Sequence, residues 1–593
     1  MTLRAVLRFI FVVAVCSALL DSSFGQLNCG ATSECAVGSI CSAGSCQAAP
    51  TAAQVVQCVI LPPSVVRQDA TVRLFALAKN ASGRAISFSQ FRWSLYGPGT
   101  IDDRGTVTAN GAGELTVIAS AGQTSSCATK VISYPRPAAN DFRVVVVEAL
   151  TSRPIVGAAV VVDQSVGRTD ASGISVHRGL GAGPHDVHVF AAGYHYTSFI
   201  GAASKDLLVP LAPNIPANSR SGFIGKFSSR DFQQLPVQGE AVHLAFFGSG
   251  VPGSPIDLTP QKLAGQLRPV TINATTRSLP SGLVLGLSDN MFGTEEYRIY
   301  ADAGARVIWG IGGNLSLTDV IGALGPVLNG NTSNIDVGAL LAQLLPLFGK
   351  LSAGQVVGVD PPSNGDTPNF SPVTIPLDAR PDLRAAIMLP DRPAKGDVFV
   401  IGAALHDSLG IVPLGFSDDV SKPLNLAPLS YGLEESRWTI IAQVMQPGGL
   451  SALVKTVDEI RAAAAPIGGE PVVFDRPFMK PTRSGHLDAS RRMLFLPAHG
   501  DSSTVFYRID IHGAGGDWQI WSGSSSHPSI VALPDPRTFD LPDPLRGSSS
   551  ATIIAGSLVK PATYDLLSAF DGVHVDRLGA LIDAFTLAQF NIN

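Results

Sequence analysis

Charge is scarce in this chain. Lys, Arg, Asp and Glu make up 15% of its 593 residues, and the formal net charge is −5. A disordered polyelectrolyte needs more charge and less apolar side chain than the 45% found here. No Lys/Arg block is long enough to track a phosphate backbone, which argues against nucleic acid as a partner. Catalytic punctuation is also missing. None of the 11 histidines is followed by Glu at the third position, and neither His-Glu-x-x-His nor Gly-x-Ser-x-Gly occurs. All seven cysteines lie at or before residue 127, at 16, 29, 35, 41, 46, 58 and 127, and none follows. The later part of the chain must therefore fold without disulfides.

What is present begins with export. Arg4 and Arg8 precede an apolar run from Phe9 to Leu20, and the small residues Ser23 and Gly25 suit cleavage before Gln26. This is the layout of a secretory signal over residues 1–25. The run is too short for a bilayer span, which takes about 20 residues, so no transmembrane span is expected after cleavage. Val13-Ala14-Val15-Cys16 offers a second route, lipid anchoring through Cys16, with Val15 where a small residue is expected. Removing Cys16 leaves six cysteines, an even set that an oxidising compartment can close.

Gly 60 and Pro 42 are spread through apolar runs, which reads as many short strands and turns. The expected fold class is mainly β: sandwich modules in series, then a larger β-rich region with a few helices. Residues 26–50 form a small module around Cys29, Cys35, Cys41 and Cys46, whose two disulfides could pair in three ways. A zinc site there lacks the usual Cys-x2-Cys spacing. Residues 51–136 carry strand patterns at Thr71–Leu77 and Glu114–Ala119, with turns at Asn80–Gly83, Gly97–Gly99 and Asn110–Gly111. Cys58 and Cys127, near its two ends, are expected to bond.

The pattern Gly99-Thr100-Ile101, Gly105-Thr106-Val107-Thr108-Ala109 and Gly113 to Ala119 resembles the bacterial Ig-like family. That resemblance implies a β-sandwich with Trp93 in its core. Residues 137–213 carry Phe142–Val147, Arg153–Val162, the turn Arg168-Thr169-Asp170-Ala171-Ser172-Gly173 and Gly183–Tyr194. This order resembles the carboxypeptidase regulatory-like domain and implies a transthyretin-type sandwich, an accessory module. Its peptidase partner does not carry over, since the zinc ligands are absent. Physically, Asp170 can cap its own turn, Gly173 supplies a positive φ, and Gly157 marks a bulge or a close backbone approach.

Residues 214–593 resemble no family and show no fixed repeat. Strands are expected at Ala241–Phe247, Tyr297–Tyr300, Arg306–Ile311, Asp397–Ile401, Val505–Ile511 and Trp518–Trp521, with a division near 430 into 214–430 and 431–593. Helices are expected over Leu317–Leu328, Val337–Phe348, Leu450–Ala465 and Asp576–Phe585. Candidate chemistry is thin. His185 and His188, three apart on a strand, point to opposite faces. Gly248 to Gly253 matches Gly-x-Gly-x-x-Gly, but Pro252 and Pro255 oppose the helix a dinucleotide needs. A Ser/His/Asp set could be drawn from His486, Asp488, His499, Asp501, Asp510, His512 and Ser522–Ser526. Asp360, Asn364, Asp366 and Asn369 could offer oxygens to calcium without the EF-hand spacing. Sequons begin at Asn80, Asn273, Asn314, Asn331 and Asn369 and matter only in a glycosylating host.

No catalytic, metal or cofactor residue is therefore assigned, and no cofactor is expected. The leading expectation is a secreted or bacterial cell-envelope protein, non-enzymatic, whose sandwich stalk presents a ligand-binding C-terminal region to a glycan or a surface protein. The alternative is a secreted hydrolase with its catalytic domain in 214–593.

Overall fold

Strand-forming runs dominate the sequence, and strands dominate the fold. The computed structural model describes residues 39–42, 45–48 and most of 55–592. Outside the description lie 1–38, 43–44, 49–54, 215–220, 230–240, 259–266, 288–295, 323–351, 360–369, 391–397, 458–470, 498–500, 525–529 and shorter stretches. The signal segment, Cys29, Cys35 and the 360–369 loop fall there. Among the described residues no helix is long and apolar enough to cross a membrane.

The first strands, Ser39–Ser42 and Ser45–Ala48, pair antiparallel with Cys41 opposite Cys46. In the next segment, Ser125–Tyr134 pairs with both Gly113–Ala121 and Val65–Arg67, and Gly113–Ala121 with Arg92–Tyr96. Alternation along Gly113–Ala121 buries Leu115, Val117, Ala119 and Ala121 and leaves the residues between them partly exposed. Leu115, Val117 and Ala119 share a cluster with Val107 and Val131, with the half-buried Trp93 packed against it. The run expected as one strand over Thr71–Leu77 is two, Thr71–Arg73 and Phe75–Lys79, which join different sheets. The break falls at Leu74, whose N–H donates to Gly105 O. Cys58 and Cys127 are disulfide-bonded, Cα to Cα 5.4 Å.

Residues 141–211 make two facing sheets. One is Ile174–Arg178, Asp141–Glu148 and Asp206–Leu211. The other begins Ser165–Arg168, Ala159–Val162, His185–Phe190, Tyr196–Ala202. The Asp170 carboxylate accepts from the N–H of Ser172 (2.8 Å) and Ile174 (3.0 Å), and Gly173 adopts φ 74°. Gly157 has φ 76° with nothing within 4 Å of a Cβ there, so it serves the turn rather than a close approach. A buried Arg143–Asp206 pair (2.7 Å) closes the module's base, where Arg143 also donates to Pro135 O.

The second sheet does not stop at Tyr196–Ala202. That strand pairs in parallel with Gly516–Gly523, Tyr196 beside Trp518. Phe506–Gly513, Ser549–Leu558, Ile582–Ile592, Gly449–Val457, Arg437–Gln446, Val398–His406 and Gly410–Ser417 follow in order, in a 15-stranded sheet. Strands from three of the expected segments share it. A separate pair of sheets is built on Gly222–Ser229 and Ala241–Ser249, with Phe223, Phe247, Tyr297 and Ile308 between them.

Two helical expectations fail, while the described residues of Leu317–Leu328, namely Thr318, Asp319 and Gly322, are helical. Gly449–Val457 is a strand, not the start of a helix over Leu450–Ala465. Gly448, at φ 101°, stands where that strand folds back on Arg437–Gln446 as a hairpin. Asp576–Phe585 is a 3-10 segment, Val575–Ala580, followed by strand Ile582–Ile592. Val337–Phe348, and Leu317–Leu328 for the most part, lie outside the described residues.

Candidate functional site

The parallel pairing of Tyr196–Ala202 with Gly516–Gly523 forms a seam between segments some 320 positions apart in sequence. At its centre Trp518 Nε1–H donates to Ser198 Oγ (2.9 Å), and Ser198 Oγ lies 2.8 Å from His188 Nδ1. All three residues are buried. Because Ser198 Oγ accepts from Trp518, its own proton is free to go to His188 Nδ1. That arrangement suits neutral histidine, and burial pushes the His188 pKa down to about 3.

The Pro534–Leu545 segment is strapped over this seam. Tyr196 Oη donates to Pro542 O (2.9 Å). Arg492 donates to Pro534 O and pairs with Asp543 at 2.9 Å. Its guanidinium stands 5.8 Å from the Trp518 ring. Phe539 thereby stacks on Phe190, centroids 5.9 Å apart at 23°. The 3-10 turn Pro536–Phe539 is capped by Asp535, and it ends at Asp540 in the left-handed region, φ 62°.

Between this strap and the 154–158 turn lies an open cleft of about 500 Å³. The half-buried Phe539 and Tyr194 supply aromatic surface and Val156 aliphatic surface, over the buried Phe190 and Ile155. Val156 is 65% exposed. Burial, and secondarily Glu148, raise the Tyr194 hydroxyl pKa, so it is a neutral donor. Arg168 and Asp540 line the same cleft as its charged residues. Arg168 Nη1 donates to Gly157 O (3.1 Å), and Asp540 is exposed at the lip.

Among the described residues, the histidines, carboxylates and serines singled out in the sequence are not gathered into one site. His486 stacks on Phe495 at 4.2 Å. Asp488 holds the Ser490–Arg491 turn and Asp501 the Ser503 turn. Asp510 chelates Arg508, which also reaches Asp257 at 3.0 Å. His512 Nδ1 lies 3.0 Å from Asp517. Ser522 Oγ donates to Gly523 O, and Ser524 Oγ to Thr504 O. His499, Ser525 and Ser526 lie outside the described residues. His185 faces Asp163 (2.6 Å) while His188 faces Ser198, so the two do not share a partner set. Among the described residues just after Gly248, the only helical turn is the three-residue 3-10 turn Pro255–Asp257. Among the described residues no three His, Cys, Asp or Glu side chains are placed to hold a metal ion. The cleft residues Arg168, Phe539 and Asp540 were not singled out by sequence reasoning. They lie on two segments whose adjacency leaves no local sequence mark.

No family model matches the chain, and no curated protein matches it. Among solved structures it has a slight similarity to α-2-macroglobulin from Salmonella reacted with methylamine. Identity is 11%, the alignment covers 86% of this chain and 29% of that one, and the TM-score is 0.12. Trypsin-activated α-2-macroglobulin from Escherichia coli gives 8% identity, 92% and 31% coverage and a TM-score of 0.12. This chain thus spans under a third of the length of those proteins. A likeness this slight shows neither fold nor function.

Proposed function

We propose that the chain is an exported, non-enzymatic surface or envelope protein that binds a ligand in the cleft beside the Tyr196–Gly523 seam. The single observation carrying this reading is the cleft itself. Two sequence-distant segments are locked together by a shared sheet and a strap, and between them they leave aromatic surface and two charged side chains open to solvent. A folded chain hides apolar surface unless something else covers it.

The N-terminal module, read as an Ig-like sandwich, serves as the stalk, and the next, read as a carboxypeptidase regulatory-like sandwich, joins it to the C-terminal strands and supplies one wall of the cleft. Two facing sheets over 141–211 support that reading, as does a stiff joint between the modules. Tyr134 Oη donates to Ser172 O (3.0 Å), and Arg143, held by Asp206, donates to Pro135 O. The signal-like start and the even set of six cysteines support export, with Cys58–Cys127 bonded.

Between the two ligand classes, protein is favoured over glycan. Sugar rings are usually gripped by exposed aromatic faces. Trp309, Trp438, Trp518 and Trp521 are buried and Trp93 is half-buried. The test is profiling of the purified full-length protein on arrays of immobilised peptides and oligosaccharides, beside Val156→Glu and Phe539→Ala. The expected result is peptide binding that both variants lose while thermal unfolding is unchanged. No binder, or undiminished binding in both variants, overturns the reading.

A further inference from the structure

Arg168 and Asp540 line one cleft from two different segments, the strand Ser165–Arg168 and the strap. Arg168 ends the strand Ser165–Arg168, directly across from Ala159. Its hydrogen bond to Gly157 O uses one N–H of a five-donor fork, and the remainder is available to a ligand. Asp540 follows Phe539 on the strap, and its backbone N–H returns to Arg537 O and Pro536 O. Both charged groups are exposed, and no ion pair joins them. Phe190 and Phe539 lie in the lining as a stacked pair, with the exposed Val156 beside them.

We propose that this cleft binds a short peptide with free termini, a zwitterion whose carboxylate meets Arg168, whose ammonium meets Asp540 and whose apolar side chain packs on Phe539 and Val156. This rests on the reading of the cleft as the ligand site. The charge pattern selects the class. A planar guanidinium fork matches a carboxylate bidentately. A lone anion such as a phosphate ester would gain Arg168 but meet repulsion from Asp540. A neutral sugar would satisfy neither charge. The volume of about 500 Å³ lies within the range of pockets that hold small ligands.

Titration calorimetry on the full chain tests it with L-leucyl-L-phenylalanine, its N-acetyl form, its C-terminal amide and chitotetraose. The free dipeptide is expected to bind, and either cap to weaken binding by about tenfold, the loss of one charge-assisted contact. Arg168→Gln should abolish discrimination against the amide but keep discrimination against the acetyl form. Asp540→Asn, which tolerates the left-handed backbone, should do the reverse. Capped and free dipeptides binding equally, or not at all, overturns the proposal. Chitotetraose binding that Phe539→Ala removes would leave the cleft as the ligand site and refute the zwitterion. Probe binding that neither Val156→Glu nor Phe539→Ala changes would refute both.

Discussion

Lowering the pH from 7 to 5 should destabilise this protein through two buried histidines. His188 is held neutral by burial, its Nδ1 2.8 Å from Ser198 Oγ, which accepts from Trp518. His406 is needed neutral because its Nδ1 accepts from the backbone N–H of Ser408 (3.1 Å) and Leu409 (3.3 Å). Burial depresses both pKa values from about 6.5, to about 3 and about 4. The unfolded chain therefore binds more protons than the folded one between roughly pH 4 and 6.5. Stability is full above 6.5 and falls as pH drops through that window. At about 1.4 kcal/mol per pH unit per group, 1.5 units below the ordinary histidine value costs about 2 kcal/mol each, about 4 kcal/mol together. His177, also depressed by burial, adds in the same direction, whereas Asp186, raised by burial, opposes it. Urea unfolding followed by tryptophan fluorescence at pH 7 and pH 5 reads the loss directly. His188→Gln and His406→Gln should each remove about half of the pH dependence. An unchanged midpoint between the two pH values, or a slope unaltered in both variants, refutes the reasoning.

Replacing Cys58 and Cys127 with Ser opens a loop of 69 residues, which chain entropy puts at about 4 kcal/mol. Calorimetry should show the loss in the transition of the 55–134 segment. Arg508→Met leaves Asp257 and Asp510 facing each other half-buried without their cation, and should cost about 3–5 kcal/mol in urea unfolding. Adding Asp257→Asn and Asp510→Asn should recover most of that.

Local features were legible in the sequence because their causes are local. The Asp170–Gly173 turn follows from a side-chain acceptor and a positive φ a few residues apart. The Cys58–Cys127 bond follows from counting an even set of thiols and noting module ends. Gly449–Val457 was misread because Leu453 and Val457 suit helical spacing, and because a strand buried on both faces shows no alternation: Ser451 to Val454 are all buried. The hairpin signal Pro447-Gly448-Gly449 stood beside it and outweighs that spacing. The seam lay beyond reach for a different reason. Parallel pairing of Tyr196–Ala202 with Gly516–Gly523 is set by packing of Trp518 against Phe190 and Tyr196. Nothing in either segment alone names the other. The cleft inherits that opacity, since Arg168 and Asp540 become neighbours only through the seam.

Hydrogen exchange with mass spectrometry on the full chain tests the seam most directly. The amides of Tyr196–Ala202 and Gly516–Gly523 should be protected to the same degree, and Ser198→Ala should make both exchange faster together. If residues 141–211 keep their protection while Gly516–Gly523 exchanges freely, the two segments do not share a sheet, and the cleft between them has no foundation.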